Sequence, residues 1–259
     1  MKRWARRLGI TAPIAAVFLG VAVWAIAFRT PSSNQLSLPR ALIAADTPAG
    51  QQLLSEKGFT ADYDSLTRNF ESQSRRAFCG VASSVVVLNA LEPTAPRLTQ
   101  STFFTDATNK IRTSLQITFG GMTLAELGQL LQAHGAQVTV YYASDSGLDA
   151  FRSIAQKNLA TAGDFLLVNY QRAALGQDEV GHVSPIAAYN VETDRLLILD
   201  VASYKYPPVW VSTEALWKAM NTVDPASGRT RGFAVVTEAK KGTVPEAYPQ
   251  KAFSEKHLK

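Results

Sequence analysis

Cys79, in the stretch RRAFCGVASS, is the only thiol in a chain of 259 residues. A thiolate becomes a potent nucleophile when its pKa is lowered. A helix N-terminus does this through its dipole and its unpaired backbone N–H groups. Arg75 and Arg76 add positive charge just ahead of Cys79, and Gly80 behind it leaves room for a substrate to approach the backbone. A lone cysteine is more often a small packing residue, so chemistry requires partners: a base, normally histidine, and a third group that orients it. Of the three histidines, His182 in GQDEVGHVSP is best placed, where a glycine-flanked loop enters an apolar strand. His134, before Gly135, reads as a favourable cation at a helix C-terminus, and His257 lies in the tail. Asp200 in LLILDVAS is the candidate orienting group, because a carboxylate within an apolar strand is costly unless paired. The alternative is an aspartate that caps a turn just past the buried part. Gln73, upstream of Cys79, could pair its amide with the Cys79 backbone N–H as a two-donor oxyanion hole.

These groups act only if the elements that carry them converge. CGVASSVVVLNAL, residues 79–91, is apolar on nearly every face and stops short of Pro93; its length and its small first residues predict a buried helix despite the valines. Thr47 and Pro48 predict an N-cap with proline at the first helical position, and Gly58 a stop. FTADYDSLTRNFESQSRRAF lacks a clean period and reads as loop. Thr123 with Glu126 forms a capping-box pair for a helix ending near Gly135, and Ser146 and Asp149 flank the start of another that runs to about Leu159. Strands are predicted over 137–143, 164–170, 182–190, 195–202 and 231–239, with a short helix over 214–220. The turn VETD makes 182–190 and 195–202 an antiparallel hairpin. A hairpin centred near residue 193 sets Asp200 opposite residue 186 rather than 182; Pro185 leaves room for a bulge that closes the gap. Helices in the first half and strands in the second give an α+β fold, with helices on one side of a mostly antiparallel sheet.

The formal charge of +5 is local: residues 1–30 hold Lys2, Arg3, Arg6, Arg7 and Arg29 and no acid, so the body is neutral and offers nothing to nucleic acid. The cations precede an apolar run over 8–28, long enough for about one membrane span. The expectation is an exported, periplasmic domain, either held to the membrane by one N-terminal helix or released by cleavage near AIA at 25–27. One cysteine excludes an internal disulfide and a multi-thiolate metal site. The organisation expected is a signal or anchor over 1–29, a linker over 30–46, a catalytic domain over 47–239 and a loose tail over 240–259.

Beyond these readings, SQSRRAFCGVASSVVVLNAL, GHVSPIAAYN, LILDVASYKYPPVWVSTEALWKAM and RTRGF, in that order, resemble the phytochelatin synthase family over about residues 55–238. The resemblance implies a papain-like fold whose helical half carries the cysteine and whose antiparallel half carries the histidine and aspartate. It implies glutathione as substrate and a γ-glutamylcysteinyl thioester on Cys79, which passes to a second glutathione or to water. His182 would be base and then acid, Asp200 its orienting group, and Gln73 part of the oxyanion hole. Arg231 matches a substrate-binding arginine of the family. Asn169, Gly181, Val183 and Tyr206 would line the same cleft, while Arg172 and Lys205 could meet the anionic ends of the substrate or be solvated surface charges. The cysteine-rich C-terminal domain of the plant members has no counterpart here, so the chain resembles the short prokaryotic type, often better at hydrolysing glutathione than at polymerising it. The chemistry needs no cofactor. A heavy metal ion such as cadmium would enter as activator or as a thiolate complex of the substrate, with no residue assigned to it; a homodimer is left open. Two other readings are an exported cell-wall cysteine peptidase and a non-enzymatic peptide- or metal-binding module on the same scaffold.

Overall fold

The computed structural model describes residues 27–239, together with residues 20, 23 and 24. The expected tail over 240–259, and all but a few residues of the expected leader, lie outside the described residues. Among the described residues no helix is long and apolar enough to cross a membrane.

The strands are β1 (Ile43–Ala44), β2 (Gly58–Phe59), β3 (Gln137–Tyr142), β4 (Asp164–Gln171), β5 (Gly181–Asn190), β6 (Arg195–Ile198), β7 (Val209–Ser212), β8 (Val223–Asp224), β9 (Arg229–Thr230) and β10 (Gly232–Thr237). The main sheet runs β1-β7-β6-β5-β4-β10-β3, with β2 also on β5; β8 and β9 form a separate ribbon. Every pairing is antiparallel.

The central strands are near-continuous apolar runs because both of their faces are covered. In β4, Leu166 and Val168 point to one core and Phe165 and Leu167 to the other. The first core is closed by Phe151 and Leu159 of the Leu148–Leu159 helix and by Leu216 of the Thr213–Met220 helix. The second is closed by Leu53, Val86, Val87, Leu127 and Leu131 from the Pro48–Ser55, Cys79–Leu91 and Leu124–Ala133 helices. The fold is α+β as expected, but helices cover both faces of the sheet rather than one. The alternation in β4 demands this, since burying only one face would leave half its apolar side chains in water.

Most predicted elements form where expected. Thr47 caps a helix with Pro48 at its start, although that helix ends at Ser55, before Gly58, which lies in β2. The Thr123–Glu126 capping box is present. The stretch expected as loop begins with the second residue of β2 and contains the Tyr63–Arg68 helix, pinned by fully buried Leu66. His134 does not act as a helix-end cation: its Nε2 lies 2.9 Å from Phe103 O, and burial pushes its pKa down, toward the neutral form. Within 30–46, Asn34 and Leu36 donate backbone hydrogen bonds to Tyr204 O and Lys205 O, and β1 extends the sheet edge at β7.

Candidate active site

Cys79 is the first residue of the Cys79–Leu91 helix, as its flanks predict, and is half-buried. Three contacts hold this helix end. Phe78 packs with Val81, Val85 and Phe103. Ser83 Oγ donates to Val183 O at 3.0 Å, tying the first turn to β5. Met122 lies so close over Gly80 that an added Cβ would come within 2.4 Å of its Sδ. Gly80 therefore makes room for Met122, not only for a substrate. The loop before the helix is held from the sheet side, where Gln73 N donates to Val201 O at 2.8 Å.

His182 is the second residue of β5 and Asp200 follows β6. A bulge brings them together. Ala188 pairs with Leu197 but Ile186 with Ile198, so the extra residue, Ala187, advances the register. The bulge sits two residues beyond Pro185, the position that allowed for it, and it brings Asp200 level with Ser184, beside His182. His182 Nε2 then lies 3.0 Å from Asp200 Oδ1 and 3.0 Å from Ser184 Oγ. With Nε2 occupied by the carboxylate, Nδ1 is the ring nitrogen left for Cys79.

Asp200 is fully buried, and its Oδ1 also accepts from Arg172 NH2 at 2.7 Å and from Ala202 N at 2.8 Å. Burial raises its pKa, but the His182 and Arg172 charges outweigh this and hold the carboxyl well below the usual carboxylate range. Burial lowers the His182 pKa and the Arg172 charge adds to that. The Asp200 charge and hydrogen bond and the contact with Cys79 reverse it, so the net shift is upward. For Cys79, burial raises the pKa, and the hydrogen bond and charge of His182, the Val183 backbone and the Arg172 charge bring it below the ordinary thiol value. A lowered thiol beside a raised imidazole favours the thiolate–imidazolium pair, the reactive form of a cysteine nucleophile.

Cys79 and His182 open into a cavity of about 470 Å³, a size suited to a small peptide. Gln73, Asn169, Gly181, Val183, Arg231 and Lys205 line it. Arg231 is 5% exposed and is steadied by donation to Val223 O at 2.7 Å and Thr222 Oγ1 at 3.1 Å. Its guanidinium passes so close to Gly181 that an added Cβ would lie 3.1 Å from NH2. The Gln73 amide is engaged, donating to Arg76 O at 2.8 Å and Arg75 O at 3.1 Å. Lys205 is ion-paired with Asp178.

Two expectations change. Tyr206 does not line the cavity; it is buried with the Arg172 guanidinium 5.1 Å from its ring centre. Arg172 borders the cavity but is no solvated charge: it is 1% exposed, and its guanidinium is committed to Asp200 and, at 2.7 Å, to Gln177 Oε1. Asp224, not among the expected residues, also stands in the cavity wall, with Oδ1 3.9 Å from Arg231 NH2. The turn signal DPASG just ahead of RTRGF marks the ribbon that carries it.

A thiol at a helix start, facing a histidine on an antiparallel sheet that is held by a buried aspartate, defines a Cys–His–Asp nucleophile site. The family profile described as phytochelatin synthase matches residues 33–233, and the chain belongs to that family. Glutathione gamma-glutamylcysteinyltransferase 3 of Lotus japonicus is 34% identical over 75% of this chain and 42% of its own length. Glutathione gamma-glutamylcysteinyltransferase 1 of the same plant is 37% identical over 73% and 39%. The Schizosaccharomyces pombe glutathione gamma-glutamylcysteinyltransferase is 28% identical over 77% and 50%. The match thus spans half or less of each relative. Among solved structures, xylellain, a cysteine protease from Xylella fastidiosa, aligns at a TM-score of 0.38 and 8% identity, over 82% of this chain and 92% of its own.

Proposed function

We propose that this chain is a cysteine-dependent acyltransferase acting on glutathione. The observation that carries the reading is the fully buried Asp200, bonded at 3.0 Å to His182, which serves the only thiol at the mouth of a peptide-sized cavity. The names of the relatives supply the substrate class. The Cys79 thiolate attacks the carbonyl carbon of the cysteine–glycine amide. Charge developing on the carbonyl oxygen meets the Cys79 backbone N–H, and the Gln73 amide joins it by turning a hydrogen away from the Arg75 carbonyl, the longer of its two carbonyl bonds. The imidazolium of His182 gives its proton to the leaving nitrogen, glycine departs, and a γ-glutamylcysteinyl thioester remains on Cys79. Neutral His182 then takes a proton from the amine of a second glutathione or from water as either attacks the thioester, and the thiolate is restored.

The cavity matches the zwitterionic γ-glutamyl end of glutathione. Arg231 suits the α-carboxylate and the neighbouring Asp224 the α-ammonium. Lys205, already paired with Asp178, and Arg76 also border the cavity and suit the glycine carboxylate or a second substrate. A heavy metal enters this scheme as a thiolate complex of the substrate. The apolar leader supports an exported, periplasmic setting. A second reading, mainly a hydrolase giving γ-glutamylcysteine and glycine, differs only in the acceptor. The test is glycine release from glutathione by the full chain, with and without cadmium, with the products separated. Glycine release is expected, and oligomeric product separates transferase from hydrolase; no glycine under either condition overturns the proposal.

A further inference from the structure

Arg172 has no part in the scheme above, yet it is the most deeply buried cation of the site. It opens a short 3-10 turn after β4, at 1% exposure. Its guanidinium meets Asp200 Oδ1 at 2.7 Å and Gln177 Oε1 at 2.7 Å, and lies 5.1 Å from the ring centre of Tyr206 and 5.9 Å from that of Tyr170. A buried cation with so many fixed contacts is expensive to desolvate, and a guanidinium fork is the side chain best suited to hold two partners at once.

We propose that Arg172 is a positioning residue for the Cys79–His182–Asp200 site, fixing Asp200 Oδ1 toward His182 and balancing its charge in both protonation states of the Cys79–His182 pair. This rests on the acyl-transfer reading of that site. The geometry supports the first half: Arg172 and the Ala202 N–H grip Oδ1 independently, so His182 finds one oxygen in one place. Charge counting supports the second. With thiol and neutral imidazole, Arg172 and Asp200 cancel; with thiolate and imidazolium, all four charges cancel. Moving the proton between Cys79 and His182 therefore never leaves a net charge buried, whereas without Arg172 both states carry the uncompensated Asp200 anion.

The titratable and charged groups facing His182 are Cys79, Asp200, Arg172 and Tyr170, whose ring centre lies 5.7 Å from that of the imidazole, while Tyr170, Asp178 and Tyr206 surround Arg172. The Arg172 charge lowers the pKa of both Cys79 and His182, so its removal moves both titrations to higher pH. A residue that only gripped a substrate carboxylate would instead raise KM and leave kcat nearly intact.

The test compares full-chain wild type, Arg172→Gln and Arg172→Lys by the pH dependence of Cys79 alkylation with iodoacetamide, alongside kcat and KM for glycine release. The chain has one thiol, so alkylation reads Cys79 alone and needs no substrate, and it stays informative if the glutathione reading fails. For Arg172→Gln, the alkylation profile moves to higher pH. kcat falls on the order of 10²-fold, as for a misplaced catalytic group, while KM stays within about threefold. Arg172→Lys restores the alkylation profile but only part of kcat, because the charge returns without the fork. An unchanged alkylation profile overturns the proposal, and a raised KM with kcat retained overturns it in favour of substrate binding. Activity loss that merely follows the unfolded fraction seen by circular dichroism overturns it in favour of a structural role. Should Arg172→Gln not fold, Arg172→Lys decides: lowered kcat with a retained profile supports the proposal, and full kcat contradicts it.

Discussion

The two walls of the site are built by different physics. The helical wall places Cys79 through apolar packing: the Cys79–Leu91 helix is buried over most of its surface, and its polar anchor to the sheet is the bond from Ser83 to Val183 O. The sheet wall places His182 through charge: Asp200 and Arg172 are almost wholly withdrawn from water and joined at 2.7 Å, with His182 as the third member. Packing fixes position but is nearly indifferent to protonation. A buried ionic network fixes position and proton affinity together, so the wall that must gain and lose a proton is the one made of charges.

The largest effect should come from Asp200→Asn, which leaves Arg172 without its counter-charge. Breaking a buried pair costs roughly 3–5 kcal/mol, and losing the orienting carboxylate costs activity on the order of 10⁴-fold by analogy with a serine protease triad. Urea unfolding and glycine-release kinetics measure the two losses. Because the folded-state pKa of Asp200 is depressed, its contribution is complete above the unfolded carboxylate pKa and is lost as pH falls through the folded value. Wild type should thus lose stability on acidification more steeply than Asp200→Asn.

On the helical wall, Leu127→Ala, at a fully buried position on the Leu124–Ala133 helix packed against the sheet, should cost about 2–5 kcal/mol. The rate per folded molecule and the pH profile should hardly change. A shifted profile in Leu127→Ala would erase the contrast between the walls.

A smaller, pH-dependent effect is expected far from the site. Asp62 Oδ1 accepts from Gly163 N at 2.9 Å while its Oδ2 is buried without a partner. Burial raises its pKa to about 6, opposed by the Gly163 bond and aided by the Asp164 charge. A raised acid stabilises fully below its unfolded pKa and loses that contribution as pH rises through the folded value. Asp62→Asn should therefore gain thermal stability relative to wild type as pH rises from about 4 to about 7; a constant difference across that window would contradict the assignment.

The sequence made the helical wall easy to read. The thirteen residues from Cys79 to Leu91 declare a buried helix, and the Thr123–Glu126 capping box is a purely local signal. The sheet wall was harder, since its decisive features are non-local. His182 and Asp200 stand out as polar groups in apolar strands, but their contact depends on the Ala187 bulge, which shifts the register. Arg172 looks like any surface arginine in NYQRAAL until folding lays the β6–β7 connection over it. The covered second face of the sheet was likewise hidden, because a continuous apolar run in a strand does not say how many layers it meets.

The central claim, that Cys79 carries the acyl group, is tested most directly by intact-mass measurement of the full chain quenched after brief exposure to glutathione. One γ-glutamylcysteinyl group should be added to wild type, removable by hydroxylamine as a thioester, with no addition in Cys79→Ser. An adduct that persists in Cys79→Ser, or glycine release from wild type with no acylated chain at any quench time, would contradict it.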